Sequence, residues 1–120
     1  MLANGRILIF DNGRYRGWSR VIELNPQTMA IEWQYRKEGF YTLSQGYVQR
    51  LENGNTLVTE SERGRAFEIT REGEIVWEYY HSEKQDASNS MHPESFCRRQ
   101  WIYRMIRYSP NYIENLLRKT

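Results

Sequence analysis

One cysteine, three prolines, two histidines and a formal charge of only +2 are what this 120-residue chain has little of, and each scarcity closes off a kind of chemistry. Cys97 alone forbids an internal disulfide and builds no thiolate metal site. Arg98 and Arg99 beside it would favour a thiolate, but no base stands at a motif spacing, so it reads as an inert or surface thiol. His81 and His92 lie eleven residues apart without helical or turn spacing, so no metal site is expected, and no motif asks for a cofactor. Seventeen Lys and Arg interleaved with 15 Asp and Glu describe a mixed solvated surface, and nucleic acid is not expected as a partner. No window approaches the roughly 18 apolar residues of a membrane helix, and MLANGRILIF lacks the basic-then-apolar layout of a signal peptide. The compartment stays open, with the cytoplasm as the default expectation.

Aromatic residues, by contrast, are abundant, and they are spaced. Nine Tyr, four Trp and four Phe make 14% of the chain. Residues 4–35 align with residues 53–79: Asn4-Gly5 matches Asn53-Gly54, and Arg20, Ile22, Glu23 and Leu24 match Arg65, Phe67, Glu68 and Ile69 at an offset of 45. Ile31, Trp33 and Tyr35 match Ile75, Trp77 and Tyr79 at an offset of 44. Repetition of this kind is the first thing to settle, because it decides the architecture.

Each copy predicts a meander of short strands. Asn-Gly is a strong hairpin signal, and a type I′ turn with positive φ at both residues is expected at 4–5 and 53–54. Strands are expected over 6–10, 20–24 and 30–35 in the first copy and over 46–51, 56–59, 65–69 and 74–80 in the second. In 30–35 and 74–80 the Ile, Trp and Tyr residues recur every second position, which puts them on one face of a sheet. Four strands in about 45 residues is the strand count and period of a propeller blade. The expected fold is therefore all-β, about two four-stranded antiparallel meander blades with a short C-terminal helix. Residues 4–35 form the first blade, which lacks its first strand, and 44–80 form the second. A long polar loop follows at 81–100, then a closing eighth strand at 101–108 and a helix over 109–118, which Ser109 caps and Pro110 begins.

The phrases QRLENGNTLVTE, GRAFEIT and GEIVWEY, with SRVIELNPQTMAIEWQY before them and IYRMIRYSPNY after, resemble the C-terminal part of the arylsulfotransferase-like β-propeller proteins. The resemblance implies a full propeller of about six blades. It also implies, for the family's enzymes, sulfuryl transfer between phenolic compounds through a channel histidine. That histidine belongs to an earlier part of such a propeller, and neither His81 nor His92 carries a matching motif, so no catalytic residue is assigned.

Sulfuryl transfer needs cations around the sulfate oxygens. Arg14 and Arg16 from the first loop, Arg63 from the second, and Arg36, Lys37, His81 and His92 from the blade connections would share one end of the blades. They describe either a site for a small anionic or phenolic ligand or ordinary loop ion pairs with Glu38, Glu60, Glu62 or Glu83, which contribute little. Ser44, Gln45 and Gly46 open the innermost strand and would border the channel, Gly46 permitting close backbone approach. Arg20 with Arg65 and Glu23 with Glu68 recur at one blade position, which points to structural ion pairing, and Trp33 with Trp77 to blade packing.

Two blades cannot close a ring, so their faces need further blades of a longer propeller or identical subunits, as in a cyclic homo-oligomer such as a trimer. The function expected is binding or assembly by a partial propeller module without complete catalytic machinery. The alternative is a sulfotransferase-like enzyme whose site is completed by further blades or by oligomerisation.

Overall fold

The computed structural model describes residues 1–82 and 100–119. Their strands form two antiparallel meanders. The first sheet has the order β1 (Ile7–Asp11), β2 (Arg20–Asn25) and β3 (Ala30–Tyr35). The second has β4 (Tyr47–Arg50), β5 (Thr56–Glu60), β6 (Arg65–Ile69) and β7 (Ile75–Tyr80). A helix, α1 (Pro110–Arg118), follows near the C-terminus. All seven of these strands fall where strands were expected, and among the described residues the first sheet has no strand outside β1. The single face expected for Ile, Trp and Tyr does not hold, because register shifts at Glu23/Leu24 and Glu68/Ile69 set Ile31 opposite Leu24 and Ile75 opposite Ile69, away from the face of Trp33 and Trp77.

Two expectations need correction. At both Asn-Gly pairs only the glycine has positive φ, 83° at Gly5 and 88° at Gly54, so neither turn is type I′. The loop is one residue longer: the Gly5 N–H donates to the Leu2 carbonyl (2.9 Å), and the Leu2 N–H donates to the Arg6 carbonyl (2.7 Å). Leu51, Gly54 and Asn55 repeat this closure, and so do Thr70, Gly73 and Glu74. It is the three-residue hairpin loop, with glycine at the bulge position. The asparagine serves through its side chain, since Asn4 Oδ1 accepts from the Arg6 N–H and Asn53 Oδ1 from the Asn55 N–H. The second correction concerns residues 101–108, which join no sheet. They lie instead against β5 and its neighbours through isolated bonds, among them Ile102 N–H to the Ser61 carbonyl (3.1 Å) and Met105 N–H to Thr59 Oγ1 (2.9 Å).

The core lies between the two sheets. Val21 and Tyr35 of the first sheet meet Val58, Phe67 and Ile69 of the second, and Leu8, Phe10, Trp33, Val48 and Ile75 pack around them. Phe40, from the connection between the sheets, fills the centre. Its ring stands 5.6 Å from those of Phe10 and Tyr35 and 5.7 Å from that of Phe67, edge-on to both phenylalanines. Such pairs add about 0.5–1.5 kcal/mol each to the burial of their surface. Helix α1 begins as expected, with Ser109 Oγ accepting from the Tyr112 N–H, but its apolar residues Ile113, Leu116 and Leu117 are exposed.

Gly46, expected to allow a close approach, does so against Phe10. A Cβ at Gly46 would stand 2.5 Å from the Phe10 ring, at a φ of 114°. Gly46→Ala should therefore cost about 2–4 kcal/mol of stability. Gly54→Ala, where a Cβ meets nothing within 4 Å, should cost only about 1 kcal/mol. Urea midpoints of the two variants check this ordering, and equal midpoints would contradict it.

Candidate functional site

The loops at one end of the sheets are tied into a continuous rim. From the β1–β2 loop, the Asn12 side-chain amide donates to the carbonyls of Thr42 and Gln45 in the β3–β4 connection. Ser19 N–H donates to the Phe40 carbonyl (3.0 Å), and Ser19 Oγ, which donates to Asn12 O, accepts from Thr42 N–H. The 3-10 turn Ser61–Arg63 joins through Glu62, whose carboxylate accepts from Leu43 N–H (3.0 Å), Ser44 N–H (3.2 Å) and Ser44 Oγ (3.0 Å). Buried loop backbone finds partners here in side chains rather than in a ladder.

The residues expected to form a site fall into separate groups on this rim. Arg14 and Arg16 are exposed on the first loop. Arg16 and Arg36 flank Trp18, their guanidinium carbons 4.1 and 3.6 Å from its ring centre, in a stack worth about 0.5–1 kcal/mol per pair at an exposed position. Trp18 was not singled out in the sequence; a lone Trp between two arginine-bearing segments was the available signal. Ser44 is held by Glu62, and Gln45, at a φ of 61°, accepts from Asn12. Arg63 is half exposed, 3.5 Å from Glu60. His81 joins the loop of Arg63 through its backbone N–H, which donates to the Gly64 carbonyl (2.7 Å), while its ring nitrogens lie 3.4 Å from the Tyr79 hydroxyl and 3.2 Å from Gln100 Oε1. His92 and Cys97 lie outside the described residues, among which no cluster of metal-ligating side chains occurs.

Several of these cations already have carboxylate partners. Asp11 takes Arg20 at 2.8 Å and Arg16 at 3.1 Å. Burial would raise the Asp11 pKa, but the hydrogen bonds from Arg20 and Arg16 outweigh it and hold the carboxyl below its ordinary value. Glu60, expected among solvated loop charges, is completely buried beneath the rim. It accepts from Tyr41 N–H (2.9 Å) and Arg65 (3.2 Å). Burial pushes its pKa up, against the opposing pull of those donors.

The strongest electrostatic feature lies between the sheets. Glu23, fully buried, meets Arg50 at 3.0 Å, Arg6 at 3.4 Å and Arg71 at 3.5 Å, with Asn4 donating at 3.3 Å. Arg50 and Arg71 come from the opposite sheet, so the carboxylate on β2 gains two of its three arginines only when β4 and the β6–β7 turn are in place. Arg50 also stands 5.3 Å over Trp33, the cross-strand neighbour of Glu23. The repeated arginines form the expected ion pairs within each sheet, Arg20 with Asp11 and Arg65 with Glu78 (2.7 Å).

Two antiparallel meanders packed face to face, with a rim of arginine-bearing loops at one end, define an all-β protein. Residues 3–82 match the arylsulfotransferase (ASST) family, and the chain belongs to that family. No curated protein and no solved structure matches the chain.

Burial works to raise the Glu23 pKa, and the bonds from Arg50, Asn4 and Arg6 overcome it, so the folded value lies below the ordinary 4.5. A carboxyl lowered by folding stabilises the fold above its unfolded pKa and loses that contribution as pH falls through the folded one. Glu23→Gln should thus cost about 2–4 kcal/mol near neutral pH and less as acid protonates the wild-type carboxyl. Urea titrations from neutrality down to about pH 3 check this, and a gap independent of pH would contradict it.

Proposed function

We propose that this chain is a partial β-propeller module of the arylsulfotransferase family that works by binding or assembly and lacks complete catalytic machinery by itself. The observation that carries the reading is an exposed aromatic pair on the outer strand of the second sheet. Trp77 and Tyr79 of β7 lie with their rings stacked 6.4 Å apart and remain 38% and 40% exposed. Paired aromatics on one sheet face are the chemistry of a surface that another sheet covers. The edge of β1 and the apolar side of α1 support the same reading.

A second reading, a sulfotransferase-like enzyme completed by further blades or copies, is favoured by the family match and by the Arg16–Trp18–Arg36 stack. That stack offers an aromatic ring between two cations, which suits a small anionic or phenolic ligand. Against it, Arg16 and Arg63 are engaged by Asp11 and Glu60, and an incoming sulfate would have to displace these internal partners.

Incubated with an aryl sulfate donor and a phenol acceptor, the protein alone should transfer no sulfuryl group above the uncatalysed rate. Turnover that is lost in His81→Ala, with the fold retained by circular dichroism, would establish the enzymatic reading in its place.

A further inference from the structure

We propose that the open edge of β1 is completed by residues 104–107 of a second copy of this chain, so that copies join head to tail into a closed ring. The proposal rests on the assembly reading above and names the partner which that reading leaves open.

The terminal segment stands to the second sheet as β4 stands to the first. Arg50 of β4 binds Glu23 and lies 5.3 Å over Trp33; Arg107 binds Glu68 and lies 5.0 Å over Trp77. Glu68 and Trp77 are cross-strand neighbours, as are Glu23 and Trp33, and they are the residues that correspond to them at offsets of 45 and 44. Residues 104–107 therefore occupy the place of an inner strand belonging to a sheet beyond the second one. No such sheet follows in the described chain, because Ser109 and Pro110 turn the backbone into α1 where β4 was followed by a hairpin.

The first sheet shows the complementary defect. Its edge strand β1 corresponds to β5 at an offset of 49, and β5 carries β4 on the edge where, among the described residues, β1 carries nothing. The segment and this edge cannot meet within one molecule. The first sheet packs on one face of the second, while the segment is held on the other by Arg107 at Glu68 and by Met105 at Thr59. A second copy can bring them together.

Hydrogen bonding agrees with this. Met105 N–H donates to Thr59 Oγ1, and Arg107 exchanges two bonds with the Gln49 side chain at 2.8 and 2.9 Å. Residues two apart thus direct their backbone groups toward the same sheet, the alternation of a strand, which turns those of Arg104 and Ile106 the other way. Carrying the β4–β5 register across the two offsets places Arg104 opposite Phe10, Met105 opposite Ile9, Ile106 opposite Leu8 and Arg107 opposite Ile7. Arg104 and Ile106 then fall at the hydrogen-bonded positions, and Ile9 with Met105 forms a non-bonded pair. Each junction also lays the first sheet of one copy against Trp77 and Tyr79 of the next. A contact between different surfaces closes into a ring when its rotation divides the circle. Propellers close at roughly four to eight blades, which corresponds here to about two to four copies.

Light scattering on the wild-type protein should give a small integer multiple of the protomer mass. In a Cys97→Ser background, Ile9→Cys and Met105→Cys combined in one chain should form disulfides between chains under mild oxidation, because a non-bonded strand pair has Cα atoms about 4.5 Å apart, within disulfide reach. Peptide mapping should locate the bond between positions 9 and 105. A wild-type monomer, or an oligomer in which that disulfide does not form, overturns the proposal; if the cysteine variant does not fold, the wild-type mass alone decides. A monomer without sulfuryl transfer removes the second copy as partner and leaves the module reading standing. A monomer that turns over aryl sulfate removes both.

Discussion

A carboxylate inside a protein must be given its counter-charge by something folded around it, and Glu23 takes two of its three arginines from the neighbouring sheet. This requirement organises much of the structure. It fixes how far β4 slides along β1, because Arg50 has to reach Glu23 while lying over Trp33. It draws the β6–β7 turn toward the first sheet through Arg71, whose backbone carbonyl also accepts the Trp33 indole N–H at 2.8 Å. Apolar contact between Val21, Phe67 and their neighbours supplies much of the cohesion, but apolar contact has no direction. The buried ion group supplies the register, and a ladder shifted by one residue would turn Glu23 to the opposite face.

The same device recurs at Glu68 with Arg107, in a segment that belongs to no ladder. An interaction that spans from one sheet to the next cannot be completed inside a single sheet. Glu23 takes Arg50 and Arg71 from the second sheet, and Glu68 takes Arg107 from the segment beyond it, so each buried glutamate ties its sheet to the part of the chain that follows.

Strand positions were legible in the sequence because a strand at a half-buried face alternates by composition, as Trp33 and Tyr35 do with Gln34 between them, whereas the bulge that turns Ile31 to the other face leaves no mark in that pattern. The turn geometry was less so: Asn-Gly marks a hairpin whether the loop has two residues or three, and only the closing bonds distinguish them. Residues 101–108 have the composition of a strand, but strand pairing is a property of two segments, and composition reports only one. The burial of Glu23 and Glu60 was the hardest to read, since glutamate alone reads as solvent-exposed. Recurrence of Glu23 at Glu68 was a usable sign, and it pointed correctly to ion pairing. Glu60 also had a counterpart, since Asp11 stands at the β1–β5 offset of 49 and pairs with the repeated arginine in the same way. On the rim, blade topology put Arg14, Arg63 and His81 at one end, and the contacts tie His81 to the loop of Arg63 through Gly64 while Arg14 stands on the loop of the first sheet.

Phe40 gives the rim a mechanical property. It sits on the connection that also carries Thr42, Ser44 and Gln45, yet its ring is the centrepiece of the aromatic cluster between the sheets. Moving that connection outward to admit a visitor would draw the ring from its socket, at about 1.5–3 kcal/mol for the lost burial alone. The loops are therefore pinned from beneath, and whatever docks on them has to fit a surface that is already set.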